Sequence, residues 1–79
     1  MKTTDRGSSV LFTDGCIQIA ELQFTGDFGR VLLVNPNCIA IRNARYLNSL
    51  DQIRPEYRTA FDQIASKWRV DRFTVRKRA

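Results

Sequence analysis

Residues 55–68 read PEYRTAFDQIASKW. The apolar side chains of this segment recur at intervals of three and four residues, at Tyr57, Ala60, Phe61, Ile64, Ala65 and Trp68. This spacing is typical of an amphipathic helix, because positions three and four apart lie on the same helix face. Proline is tolerated in the first turn of a helix but breaks its interior. The pattern therefore predicts a helix from Pro55 to Lys67.

The segments on either side of this helix have the composition of short strands. Before it, the segments 9–12, 16–24 and 31–34 are rich in apolar residues. They are separated by Asp14-Gly15 and by the sequence TGDFG at 25–29, and both separators suit tight turns. A further short strand is predicted at 38–41, after the turn at 35–37. After the helix, residues 70–77 alternate between apolar and polar side chains, which predicts a last strand.

These elements follow the order β-β-β(β)-α-β, which predicts a small two-layer α+β domain. One amphipathic helix would pack on one face of an antiparallel sheet of four to five strands. The polar residues 1–8 are predicted to form a flexible N-terminal segment, and residues 9–79 the single domain. The helix residues Phe61, Ile64 and Trp68 are expected to be buried against Ile17, Ile19, Leu33 and Ile41.

The residue types of the chain disfavour an enzyme. The chain contains no histidine, which is the commonest general base and a usual metal ligand. Two cysteines without histidine cannot supply the four ligands of a typical zinc site. Cys16 and Cys38 lie in apolar, strand-like segments and are predicted to be buried, reduced and unreactive. We therefore expect no catalysis, no metal and no cofactor.

Neither a membrane span nor a secretory signal is predicted. No uncharged apolar run exceeds four residues, whereas a spanning helix needs about 20. The N-terminal residues lack the apolar stretch of a secretory signal after Lys2. The sequence therefore predicts a cytoplasmic protein.

Positive charge is concentrated in the C-terminal half. Residues 1–41 carry three basic and four acidic side chains, a net charge of −1, whereas residues 42–79 carry ten basic and four acidic side chains, a net charge of +6. Arginine outnumbers lysine by ten to three, and its planar guanidinium group fits phosphates and carboxylates in two-point contacts. The candidate binding residues are Arg42, Arg45, Arg69, Arg72, Arg76, Lys77 and Arg78.

The last strand would place Arg72, Thr74 and Arg76 on one face, in a row that suits phosphate oxygens. The alternative is a charged sheet edge that discourages aggregation. Two aromatic side chains, Phe28 in the 25–29 turn and Tyr46 beside Arg45, are candidates for exposed contacts with a base or a protein.

This pattern favours a small, basic, non-catalytic binding module that regulates a nucleic acid or nucleoprotein partner through its arginine-rich C-terminal half. The alternative is a protein inhibitor or adaptor, of the type that phages and other mobile elements use, which docks on an acidic protein surface of a host complex. Free sheet edges would also allow two copies to pair as a homodimer. Salt distinguishes the first two functions, since phosphate binding weakens more steeply with salt than a packed protein interface does.

Overall fold

The computed structural model describes residues 1–27, 29–40, 47 and 50–76. Within this part of the chain, the elements are the strands β1 Lys2–Asp5, β2 Ser9–Asp14, β3 Ile17–Thr25, β4 Gly29–Val34 and β5 Arg72–Val75, the helix α1 Pro55–Trp68, and the 3-10 turns Pro36–Cys38 and Leu50–Gln52. The helix packs on one face of a five-stranded sheet. The predicted two-layer α+β fold is thus confirmed.

The strands lie in the sheet in the same order as in the chain. β1 to β4 form an antiparallel meander, as predicted. β5 instead pairs in parallel with β4, from Val31 beside Arg72 to Val34 beside Val75, so the sheet is mixed rather than wholly antiparallel. The reason is the intervening helix, which returns the chain to the end of the sheet where β4 begins, as parallel pairing requires.

Two local predictions differ from the structure. Residues 2–5, within the segment predicted to be flexible, form the edge strand β1 and pair with β2; Thr3 and Thr4 are β-branched and favour a strand. The predicted strand at 38–41 is replaced by the 3-10 turn and by an isolated bridge from Ile39 to Ile53. Proline at the first position of this turn fixes its φ angle in the helical range.

The core lies between α1 and the facing side of the sheet. Its buried side chains are Val10, Phe12, Ile19, Ala20, Leu22, Leu32, Val34, Cys38, Ile39, Leu47, Ile53, Phe61 and Ile64. Trp68 is half-buried at the edge of this cluster, where its ring meets Phe12 edge-on with centroids 5.9 Å apart. Burial of Phe61, Ile64 and Ile19 agrees with the sequence analysis.

Two of the sheet residues expected to contact the helix lie elsewhere. A bulge shifts the register between Phe12 and Thr13, so Ile19 and Ala20 are both buried while Ile17 is 40 % exposed at the start of β3. Leu33 alternates with the buried Leu32 and therefore lies on the face opposite the helix. Ile41, the fourth expected contact, is outside the described residues.

The helix begins at Pro55, as predicted, and ends at Trp68, one residue beyond the predicted end. Arg69 follows with a φ of 50°, in the left-handed region. A left-handed residue commonly ends a helix, because it turns the chain away from the helix axis.

No helix in the described residues has the length and hydropathy needed to cross a membrane.

The two cysteines differ in exposure, which corrects the prediction of two buried thiols. Cys16 is exposed in the tight turn between β2 and β3, whereas Cys38 is fully buried in the core. Burial raises the pKa of the Cys38 thiol to about 11, against a smaller opposing effect of the Arg54 guanidinium. Cys38 therefore stays protonated at pH 8, and the thiolate is the reactive form.

In the native protein, we expect one thiol to react quickly with an alkylating reagent and the other to react slowly. At pH 8, iodoacetamide should modify Cys16 at the rate of an exposed thiol and leave Cys38 unmodified until the protein is unfolded. Mass spectrometry after timed quenching would count the adducts. A Cys16→Ser variant should show no fast adduct, and two fast adducts in the parent would contradict the burial of Cys38.

Candidate functional site

Three of the predicted basic residues lie in the described part of the chain. Arg69, Arg72 and Arg76 are all exposed. Arg72 is the first residue of β5, Arg69 lies three residues before it, and Arg76 directly follows the last residue of the strand. The other predicted residues lie outside the described residues: Arg42, Arg45, Lys77, Arg78, Phe28 and Tyr46. The described candidate site is therefore the surface along β5.

β5 holds two of these arginines at a defined spacing. Arg72 is its first residue, and Arg76 directly follows its last. The Arg76 N–H donates to the Val34 carbonyl oxygen at 2.8 Å, so strand pairing continues to this residue. Since a strand rises about 3.3 Å per residue, the two Cα atoms lie about 13 Å apart.

Thr74, between these arginines, does not contribute an exposed hydroxyl. The residue is half-buried beside Leu33. Its hydroxyl oxygen is buried and makes no hydrogen bond to any described residue. The row expected from the sequence thus contains two exposed cations rather than two cations and a hydroxyl.

Two other arginines of the C-terminal half, Arg54 and Arg58, donate hydrogen bonds to backbone carbonyls of the protein. Arg58 donates from Nε to the Ile53 carbonyl at 3.1 Å and from Nη2 to the Asp51 carbonyl at 3.0 Å. Arg54 donates from Nε to the Ile39 carbonyl at 3.5 Å. By contrast, no side-chain hydrogen bond joins Arg69 or Arg76 to another described residue. The charge of Arg69 and Arg76 is therefore available to a ligand without loss of an internal contact.

An aromatic–cation pair that the sequence analysis missed lies at the end of the sheet where β4 and β5 begin. Phe24, near the end of β3, is 43 % exposed. It pairs across the strands with Arg30, whose guanidinium carbon lies 5.6 Å from the ring centroid. The turn at 25–29 was identified from the sequence. In a hairpin, residues at equal distances from the centre of the turn face each other, and Phe24 and Arg30 each lie three positions from Asp27. This rule would have predicted the contact.

Hydrogen bonds anchor Arg30 to the connection between α1 and β5. Its Nη1 donates to the Trp68 carbonyl at 2.6 Å. Its backbone N–H donates to Asp71 Oδ2 at 2.8 Å, and its carbonyl accepts from the Asp71 N–H at 2.8 Å. A guanidinium group at the last carbonyl of a helix also stabilises the negative end of the helix dipole. The β3–β4 hairpin is thus tied to the start of β5.

We call this end of the sheet the basic end, and define it by Phe24, Arg30, Lys67 and Arg69. Arg72 pairs with Val31 and therefore lies on the opposite face of the sheet from Arg30. The Lys67 ammonium lies 5.8 Å from the centroid of the Trp68 ring, a second cation–aromatic contact at the basic end. Asp27 and Asp71 supply its negative charge. The three cations outnumber these two carboxylates, so the basic end carries a net positive charge.

The described residues include no group of three or more Cys, Asp or Glu side chains placed to hold a metal ion.

In comparisons with protein-family models, with curated proteins and with solved structures, no match to this chain was found.

Proposed function

We propose that this protein is a small, non-catalytic module that regulates a nucleic acid or nucleoprotein by binding its phosphate backbone. The observation that carries this proposal is the pair of exposed arginines, Arg72 and Arg76, held on an edge strand, with Arg69 just before them. A protein that neutralises several phosphates gains affinity from released counterions, whatever the base sequence.

The regular pairing of β5 with β4 supports this function. The ladder from β4 holds Arg72, Phe73 and Arg76 in register, while Phe73 and Val75 pack against the core. The strand backbone is therefore ordered before a ligand binds, and less conformational entropy is lost on binding. Two-point guanidinium–phosphate contacts are also among the stronger hydrogen bonds available to a side chain.

Charge reversal on β5 tests the proposal. An Arg72→Glu/Arg76→Glu variant should lower the slope of log K against log[salt] by about 2, since each lost phosphate contact removes about 1. The affinity of this variant for oligonucleotides in low salt should also be lower than that of the parent. Fluorescence anisotropy with labelled oligonucleotides at several salt concentrations would measure both quantities.

The matched control reverses two basic residues at the opposite edge of the sheet. A Lys2→Glu/Arg6→Glu variant also changes the formal net charge from +5 to +1, but these exposed residues lie on or beside β1. It should retain most of the salt slope. Equal losses in the two variants would indicate a general charge effect, and an absence of binding in low salt would favour an acidic protein partner.

The state of the cysteines supports the cytoplasm as the compartment that we propose for this protein. Cys16 and Cys38 are both free thiols. Free thiols persist in a reducing compartment, whereas oxidising compartments favour disulfides.

A further inference from the structure

We infer that Phe24 is a stacking platform for an unpaired base, so that the nucleic acid bound at the basic end is single-stranded. This inference rests on the proposed function, because it requires that the arginines bind the phosphate chain. It adds the class of nucleic acid, which phosphate contacts alone do not select.

The exposure of Phe24 is the first reason. Among the described residues it is the most exposed aromatic side chain, at 43 %, while Phe12 and Phe61 are fully buried. Trp68 and Phe73 are only half-buried, but both pack against the core. An aromatic ring outside the core binds bases in many single-strand-binding proteins, because every base has a flat π-face.

The second reason is the fixed position of Arg30 over the Phe24 ring. The guanidinium is held by the Trp68 carbonyl at 2.6 Å, and its carbon lies 5.6 Å from the ring centroid. Guanidinium planes and aromatic rings both stack on bases. Because the internal hydrogen bond already orders this side chain, the platform exists before a base arrives.

The third reason is the surrounding charge. Arg30 brings its own charge to the ring, the Lys67 ammonium lies 5.8 Å from the Trp68 ring centroid, and Arg69 directly follows Trp68. Lys67 and Arg69 are exposed. A strand with one base on Phe24 would therefore have cations near its phosphates. Inside a duplex the bases are stacked on each other and paired, so they offer no free face to this ring.

The test compares Phe24 variants on three labelled 12-nucleotide probes: a pyrimidine single strand, a duplex, and an abasic strand with the same phosphates. Phe24→Ala should weaken binding of the single strand about 5- to 150-fold, the range for loss of one base–aromatic stack. Its affinity for the duplex and for the abasic strand should not change. Phe24→Leu should behave like Phe24→Ala, and Phe24→Tyr should retain single-strand affinity.

The matched control is Ile17→Ala, which removes an apolar side chain that is 40 % exposed at the other end of β3. It should bind all three probes like the parent. Equal single-strand affinity in the parent and in Phe24→Ala, with binding still reduced by Arg72→Glu/Arg76→Glu, would overturn the stacking platform and leave the proposed function intact. No binding of any probe in low salt would overturn both.

Discussion

Phe61→Ala is expected to lower the free energy of unfolding by about 3–5 kcal/mol, the usual cost of truncating an aromatic side chain in a core. Phe61 is fully buried in the cluster between α1 and the sheet. At about 0.05–0.15 kcal/mol per residue, a chain of 79 residues has roughly 4–12 kcal/mol of stability in total. The variant should therefore lose a large share of its stability, and at the low end of this range it should unfold at room temperature.

Urea unfolding followed by fluorescence of the single tryptophan, Trp68, and by circular dichroism would measure this loss. Gln63→Ala is the matched control, because Gln63 is exposed on the same helix and such surface changes cost within about 0.5 kcal/mol. A Phe61→Ala protein that unfolds at the same urea concentration as the parent would contradict the packing of α1 on the sheet.

Gly29→Ala is expected to destabilise the protein by about 2–5 kcal/mol. Gly29 has a φ of 72°, and a left-handed conformation costs a residue with a Cβ about 1–2 kcal/mol. A Cβ at this position would also overlap Asp71 Oδ2, the atom that accepts the hydrogen bond from the Arg30 N–H. Relief of that overlap requires displacement of the Asp71 carboxylate, at the 1–3 kcal/mol typical of overpacking.

Gly15→Ala separates the two contributions. Gly15 has a similar φ of 65°, but nothing lies within 4 Å of the position that its Cβ would occupy. Its substitution should therefore cost only the conformational part. In a double-mutant cycle, Gly29→Ala should lower the free energy of unfolding less in an Asp71→Ala protein than in the parent, because the overlap with the Asp71 carboxylate is then absent. Equal losses at Gly15 and Gly29 would show that Asp71 does not crowd the turn.

The features that the sequence predicted well are those with a local cause. The helix follows from the spacing of Phe61, Ile64 and Trp68, and its start follows from Pro55. The two hairpin turns follow from their glycines. The alternation in β5 correctly placed Phe73 and Val75 toward the core and left Arg72 exposed.

The features that it predicted poorly depend on contacts between distant segments. The bulge that exposes Ile17 depends on how β2 and β3 align. The parallel pairing of β5 depends on the path of the crossover, and the anchoring of Arg30 joins residues 38 positions apart. The pair of Phe24 and Arg30 has a local cause, because it lies across the 25–29 turn. It was missed because net charge indicated only the C-terminal arginines.

The parallel pairing of β5 has a consequence for the order in which the chain folds during synthesis. The meander β1–β4 pairs neighbouring segments, and such local contacts form quickly as a chain leaves the ribosome. β5 joins only after the chain has grown 41 positions beyond Val31, to Arg72. Until α1 and β5 arrive, the nascent meander exposes Leu32 and Val34 on an uncovered apolar face. The growing chain therefore passes through a stage in which a chaperone that holds nascent apolar segments would protect it from aggregation.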